Sequence, residues 1–251
     1  MSAPPPEFDR FAPNYDAGFD ASMKAWIGAD ARAFLRPKLA LLRRVVAARR
    51  EPPAPELDYL DFGCGAGDFL ALVNEANLPW RGEGCDVSGG MLEEARRRHP
   101  GLTAKARLWP IETNTFPEGR YDLITAICVF HHIPPAEWAD TFARLGRALR
   151  PGGLFCLIEH NPWNPVTAWM VSRTAIDADA HLLSPAVSRR TMRAAGFGQI
   201  RTQQFLFVPP RGTFTDALDR TFSWLPLGGQ YLMSGTAPEK THCAGRPAPV
   251  T

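Results

Sequence analysis

Between residues 57 and 160, short apolar runs alternate with longer segments whose apolar residues follow helical spacing. The apolar runs predict strands over residues 57–62, 81–86, 121–127 and 154–159, and the intervening segments predict helices over 69–76, 91–96 and 137–149. Strands that alternate with helices are typical of a parallel sheet with helices on both faces. The pattern therefore predicts an α/β fold.

The N-terminal part of the chain has a different pattern. Residues 19–50 carry apolar side chains at three- and four-residue spacing, which predicts a helical segment that Pro37 should break or kink. A proline-rich stretch, 51–56, leads into the first strand. We expect residues 1–56 to form a helical segment or lid that precedes the core of residues 57–236.

After residue 160 the regular alternation stops. Helices are predicted over 167–175 and 184–195, a long strand over 198–208 and its antiparallel partner over 230–234. Two stretches, 161–183 and 209–228, are interpreted as insertions, and the second is long enough to be a lid over a substrate. Residues 237–251 are expected to be a flexible tail.

An acidic residue and a glycine-rich turn follow the first strand. Asp61 precedes Gly63, Gly65 and Gly67, and a helix is predicted directly after them. Such a turn places a helix N-terminus toward a ligand. The spacing G-x-G-x-G differs from the G-x-G-x-x-G of dinucleotide-binding folds, which disfavours a nicotinamide oxidoreductase.

A second acidic residue, Asp86, ends the second predicted strand about 20 residues further on. Nucleotide-binding sheets place at this position the carboxylate that binds ribose hydroxyls, although a surface aspartate in a turn is the alternative. Ser88 follows where a helix N-cap belongs.

These motifs together resemble the class I S-adenosylmethionine-dependent methyltransferases. The resemblance also includes the Tyr-Asp-Leu-Ile strand at 121–124 with His-His-Ile at 131–133, and Leu-Arg-Pro-Gly-Gly at 149–153. The segment F-x-x-x-A-x-x-Y-D at 8–16 is similar to the opening of many small-molecule members. The resemblance implies a Rossmann-like, doubly wound and mostly parallel seven-stranded sheet with an antiparallel C-terminal strand pair, and S-adenosylmethionine as the cofactor.

The resemblance also implies which residues bind that cofactor. They are Tyr15, Asp61, Gly63, Gly65, Gly67, Asp86, Val87 and Ser88. One position departs from the family pattern: Pro110 stands where many members have an aspartate near the adenine, and Glu112 lies two positions along.

Methyl transfer from a sulfonium is an in-line displacement, so the enzyme mainly aligns the reacting atoms. A general base is needed only when the acceptor loses a proton. His131, His132 and His160 follow predicted strands at the ligand side of the sheet and are the catalytic candidates. The alternative is that these histidines only pack or cap.

A run of three potential metal ligands, Asp177, Asp179 and His181, lies in the first insertion. We interpret it as a capping loop, because the reaction implied by the resemblance needs no metal. The five cysteines form no C-x-x-C pair, so neither a zinc site nor a redox motif is indicated. No metal is therefore expected.

Charge and composition indicate which class of methyl acceptor is expected. The 251 residues include 28 basic and 26 acidic side chains, a net charge of +2 that argues against an electrostatic nucleic-acid binder. The chain has no long apolar run and no signal pattern, so a cytoplasmic protein is expected. Aromatic residues in the C-terminal third suggest a small, partly apolar metabolite. A macromolecular methyltransferase and a non-catalytic cofactor-binding partner protein remain alternatives, and the oligomeric state is left open.

Overall fold

The computed structural model describes residues 7–10, 12, 31–48, 56–102, 105–111, 116–210 and 213–238. The strands are β1 (Leu57–Phe62), β2 (Trp80–Asp86), β3 (Arg107–Pro110), β4 (Tyr121–Ile127), β5 (Leu149–His160), β6 (Gly198–Phe205) and β7 (Gln230–Thr236). The helices are α1 (Ala31–Ala47), α2 (Asp68–Glu75), α3 (Gly89–Arg98), α4 (Trp138–Ala148), α5 (Pro165–Val171), α6 (Pro185–Ala194) and α7 (Thr213–Phe222). None of the helices in these ranges is long and apolar enough to cross a membrane.

The strands form one sheet in the order β3-β2-β1-β4-β5-β7-β6. Neighbours from β3 to β5 pair in parallel, and β7 pairs antiparallel with both β5 and β6. The predicted seven-stranded α/β sheet with an antiparallel C-terminal strand pair is therefore confirmed. The strand order reverses between β1 and β4, and ligands of open α/β sheets bind beyond the carboxyl ends of the strands at such a point.

Apolar side chains are buried on both faces of the sheet. On one face Leu60 packs in a cluster with Phe130, Phe142 and Phe155, and on the other Tyr59 packs with buried residues of α1 and α2. Burying a large apolar side chain contributes about 1.5–3 kcal/mol. Since both faces are covered, the side chains at the strand ends are held in a rigid frame.

Helix α1 continues through Pro37, so of the expected break or kink the break does not occur. Proline inside a helix costs about 3 kcal/mol, because it removes a hydrogen bond and crowds the preceding turn. The buried side chains Leu39, Leu42 and Val45 that follow it pack among the residues of the second cluster. Their burial offsets the cost and keeps the helix continuous.

The Leu-Arg-Pro-Gly-Gly segment at 149–153, which precedes the strand predicted over 154–159, belongs to β5. The register between β4 and β5 shifts between Tyr121 and Leu123, and Gly152 has a positive φ of 72°. The register shift and the positive φ are typical of a β-bulge, in which a strand bends locally and some of its residues are left unpaired.

The C-terminal elements follow the sequence pattern with two differences. Ser184 caps α6, and Gly196 follows its end with a φ of 88°. Strand β6 ends at Phe205 rather than at residue 208, since Leu206 has a φ of 59° that ends the extended conformation. The segment 209–228, expected to be a lid, contains helix α7.

Candidate functional site

The glycine-rich turn lies at the carboxyl end of β1, where the strand order reverses. Gly63, Gly65 and Gly67 have φ values of 69°, 51° and 75°, which favour glycine. A Cβ atom at Gly63 would lie 2.5 Å from Cγ2 of Val129. Any side chain at Gly63 would therefore force Val129 to shift and would strain the backbone.

The side chain of Asp86 connects β2 to this turn. Its Oδ2 accepts a hydrogen bond from the backbone N–H of Gly65 at 2.8 Å, and its Oδ1 accepts one from Ser88 at 2.9 Å. Burial raises the pKa of this carboxyl group. Each carboxylate oxygen keeps a lone pair that can accept a further hydrogen bond. Asp86 and the exposed Val87 both line a large cavity.

Ser88 caps the helix that follows β2. It is fully buried, and its Oγ accepts a hydrogen bond from the N–H of Met91, which makes it the predicted N-cap of α3. Oγ also lies 2.5 Å from Oδ1 of Asp9. Ser88 is not among the residues that line the cavity.

Asp61 lies at the end of β1 and also lines the cavity. Its Oδ1 accepts a hydrogen bond from the hydroxyl of Thr125 at 2.7 Å, and that hydroxyl lies 2.7 Å from the hydroxyl of Tyr59. Burial raises the pKa of Asp61 to about 7, although the hydrogen bonds of Thr125 and Tyr59 oppose the shift. This carboxyl group is therefore an unusually weak acid at the edge of the cavity.

The N-terminal segment reaches the same region. Asp9 accepts hydrogen bonds from Ser88 and from the N–H of Gly90, at the N-terminus of α3, where a negative charge is favourable. The ring of Phe8 meets the ring of His132 edge-on at 4.7 Å. The predicted contact residue Tyr15 lies outside the described residues, as does Glu112.

The predicted histidines come together on the other side of the cavity. His131 and His132 lie in a short 3-10 turn after β4, and His160 ends β5. The ring of His131 lies 4.1 Å from that of His132 and 5.2 Å from that of His160. All three residues line the cavity.

Glu159 holds His131 in place. Its Oε1 accepts hydrogen bonds from the N–H groups of Val129 and Phe130, and its Oε2 lies 2.6 Å from Nδ1 of His131. Both side chains are almost completely buried. Burial opposes the charge of the imidazole, but Glu159 and Asp177 raise the pKa of His131 to about 10. Burial and the neighbouring His131 lower the pKa of His132 to about 4.

Four residues that the sequence analysis did not connect with the site also line the cavity: Lys38, Cys128, Asp177 and Gln230. Asp177 lies against His131 and His132. Nζ of the buried Lys38 lies 3.6 Å from Sγ of Cys128, to which Gln230 also donates at 3.4 Å. Cys128 has a φ of 56°, unusual for a residue other than glycine.

The cavity has a volume of about 1470 Å³. Sites for one small ligand usually measure about 300–1,000 Å³, so there is room for two molecules. One end is bounded by the glycine turn and Asp86. The other combines the histidines with apolar side chains, namely Val129, Ile133, Met170, Val171 and Ile176.

Residues 60–153 match the model of a family described as a methyltransferase domain. The chain is 28% identical to an uncharacterized methyltransferase of Synechocystis sp. over 163 residues, which are 59% of the chain and 75% of that protein. It is 36% identical to trans-aconitate 2-methyltransferase of Methylobacterium nodulans over 129 residues, 51% of the chain but only 45% of the relative.

A likeness of fold extends further along the chain. The crystal structure of an S-adenosylmethionine-dependent methyltransferase from Thermotoga maritima superposes with a TM-score of 0.63 and 16% identity, and the match covers 92% of this chain and 98% of that one. The likeness of fold thus covers most of the chain.

Proposed function

Since the chain belongs to the class I S-adenosylmethionine-dependent methyltransferases, we propose that it transfers the methyl group to a small, partly apolar metabolite. The observation that carries this proposal is the cavity, which extends from the glycine turn to an apolar chamber containing three histidines. The chamber adjoins the cofactor end and is large enough for an acceptor molecule.

The residues at the cofactor end fit S-adenosylmethionine. The oxygens of Asp86 keep lone pairs for the two ribose hydroxyls, and the exposed, apolar Val87 offers a surface for the adenine. The turn of Gly63 and Gly65 lines the cavity without side chains, so the methionine part can approach the backbone. Asp61 offers a carboxyl group to the methionine ammonium.

The bound cofactor supplies a methyl group on a positively charged sulfur. The chain's own residues align the acceptor and exclude water, since the apolar chamber surrounds the reacting atoms. Where the acceptor loses a proton, we expect one imidazole among His131, His132 and His160 to receive it. This assignment rests on their position in the chamber.

The volume of the cavity and its apolar side chains also favour a small acceptor over RNA or a protein, because they can hold a second small molecule beside the cofactor. A relative that matches half of the chain is named for trans-aconitate, a small carboxylic acid. The buried ammonium of Lys38 at the cavity wall would suit an acceptor with an acidic group. A cytoplasmic location remains a prediction.

An acceptor screen tests this function. The protein is incubated with labelled S-adenosylmethionine and separate sets of small acids, phenols, RNA and proteins, and label transfer is measured. Met170→Trp, which fills the chamber, should reduce transfer to any accepted small molecule at least tenfold, whereas Ser172→Trp, outside the cavity lining, should not. Labelling of RNA or protein only, unaffected by Met170→Trp, would contradict the proposal.

A further inference from the structure

The carboxylate of Asp177 meets two imidazoles at the wall of the chamber. Its Oδ1 lies 3.4 Å from Nε2 of His131 and 3.5 Å from Nε2 of His132. One ligand atom from each of the three side chains lies within 4.8 Å of the others. The chain brings these groups together from a 3-10 turn after β4 and from a second 3-10 turn, Ala175–Asp177, in the first insertion.

Two of the three separations among these ligand atoms also suit shared ligation of an ion. Without an ion, Nε2 of His131 is paired with Asp177 across 3.4 Å, which is longer than the about 2.7–3.2 Å of a usual hydrogen bond. Ligand atoms about 2.1 Å from a tetrahedral ion lie about 3.4 Å apart. The separations of Asp177 from His131 and His132 match that second value.

The surroundings of His131 support the same interpretation. Its Nδ1 lies 2.6 Å from Glu159 and its Nε2 lies 3.4 Å from Asp177. An ion that binds Nε2 displaces the proton of that nitrogen, while Nδ1 keeps its carboxylate partner. Histidine ligands of metals usually carry such a carboxylate partner, which fixes the ring and its tautomer. Glu159 is itself fixed by the backbone N–H groups of Val129 and Phe130.

We propose that His131, His132 and Asp177 bind one divalent first-row transition metal ion at the acceptor end of the cavity. Two imidazoles and a carboxylate suit zinc, iron, cobalt or manganese. All three residues line the cavity, so an oxygen of the acceptor can complete the coordination. If the proposed function holds, this favours acceptors with a hydroxyl, carboxylate or enolisable carbonyl group.

This inference departs from the interpretation of the sequence, which assigned Asp177 to a capping loop and expected no metal. Asp179 and His181, the other members of that run, are exposed, and neither belongs to the three-residue group. The contact of Asp177 with His131 joins positions 46 residues apart, which sequence spacing does not indicate.

Cobalt(II) is the probe for the test. The full chain is treated with a chelator, dialysed and titrated with Co²⁺, and visible absorption reports the coordination while calorimetry gives affinity and stoichiometry. The wild type and the control Asp179→Ala should bind one ion per chain with ligand-field absorption bands. Asp177→Ala and His132→Ala should each bind at least tenfold more weakly.

Titration with S-adenosylhomocysteine on the same samples separates this inference from the proposed function. Equal cofactor affinity in Asp177→Ala and Asp179→Ala would show that both variants are folded. Absence of stoichiometric Co²⁺ binding by the wild type, or equal Co²⁺ affinity in these two variants, would overturn the metal site and leave methyl transfer unaffected. Metal binding without turnover of any acceptor would support the site and count against the proposed function.

Discussion

Oε2 of Glu159 lies 2.6 Å from Nδ1 of His131, and both side chains are buried beneath the acceptor end of the cavity. The same carboxylate accepts hydrogen bonds from the backbone N–H groups of Val129 and Phe130. It therefore fixes the backbone of the 3-10 turn as well as the imidazole ring of His131. Glu159 therefore joins β5 to the segment after β4 and determines where His131 points.

Replacing Glu159 by Gln should lower the free energy of unfolding by about 2 kcal/mol at neutral pH. The amide oxygen can still accept from the two backbone N–H groups, but the amide then presents an N–H₂ group to Nδ1 of His131, which loses its anionic partner. Urea unfolding measures the change, with the exposed Glu93→Gln as the control. Equal stability of the two variants would show that the pair does not hold the turn.

The buried carboxyl group of Asp61 should make stability depend on pH. Its folded-state pKa is raised by burial to about 7, so the folded protein holds a proton there that the unfolded chain releases near pH 3.8. The protonated carboxyl group of Asp61 therefore contributes to the free energy of unfolding. This contribution is fully present below pH 3.8 and is lost as pH rises through about 7.

Asp61→Asn removes this titration and retains an acceptor for Thr125. Relative to the wild type, the variant should gain roughly 1–4 kcal/mol in the free energy of unfolding between pH 4 and pH 8. Urea unfolding across this range, with exposed Asp140→Asn for comparison, measures the gain. A difference that stays constant with pH would count against an ionisable buried Asp61.

Gly63→Ala should weaken binding of S-adenosylhomocysteine at least tenfold. The new Cβ would meet Val129 at 2.5 Å, and the positive φ is strained for alanine. Gly89→Ala is the matched control, because a Cβ there meets no atom within 4 Å. Calorimetric titration compares the two variants, and unchanged affinity in Gly63→Ala would mean that the turn tolerates rearrangement.

The N-terminal segment is expected to act as a lid, and Asp9 provides the means to test it. Asp9→Ala removes the acceptor of Ser88 and of the Gly90 N–H, at the N-terminus of α3. We expect the dissociation rate of S-adenosylhomocysteine, measured by stopped-flow fluorescence, to rise at least threefold. An unchanged rate would indicate that the contact does not retain the cofactor; Asp140→Ala is the control.

The glycine turn and the N-cap of α3 could be predicted because their signals are local in sequence. Gly63, Gly65 and Gly67 need their backbone conformation wherever the rest of the chain lies, and Ser88 caps the helix that begins beside it. The position of Asp86 relative to the turn follows from the parallel pairing of β1 and β2. Such features need only short-range rules.

The acceptor end could be predicted only in part, because its contacts join distant segments. His131 and His160 were identified from strand ends, but Asp177 and Lys38 come from an insertion and from the N-terminal helix, whose packing the sequence pattern does not give. The continuity of α1 through Pro37 has the same origin, since the burial that keeps this helix continuous is tertiary.

Calorimetric titration of S-adenosylhomocysteine and S-adenosylmethionine into the wild type and Asp86→Ala tests the central claim most directly. Both ligands should bind the wild type and the control Asp140→Ala with micromolar affinity. The affinity of Asp86→Ala for both ligands should fall at least tenfold, because the proposed function assigns this carboxylate to the ribose hydroxyls and because it holds Gly65 in the turn. Absence of binding to the folded wild type, or equal affinity in Asp86→Ala, would contradict the account.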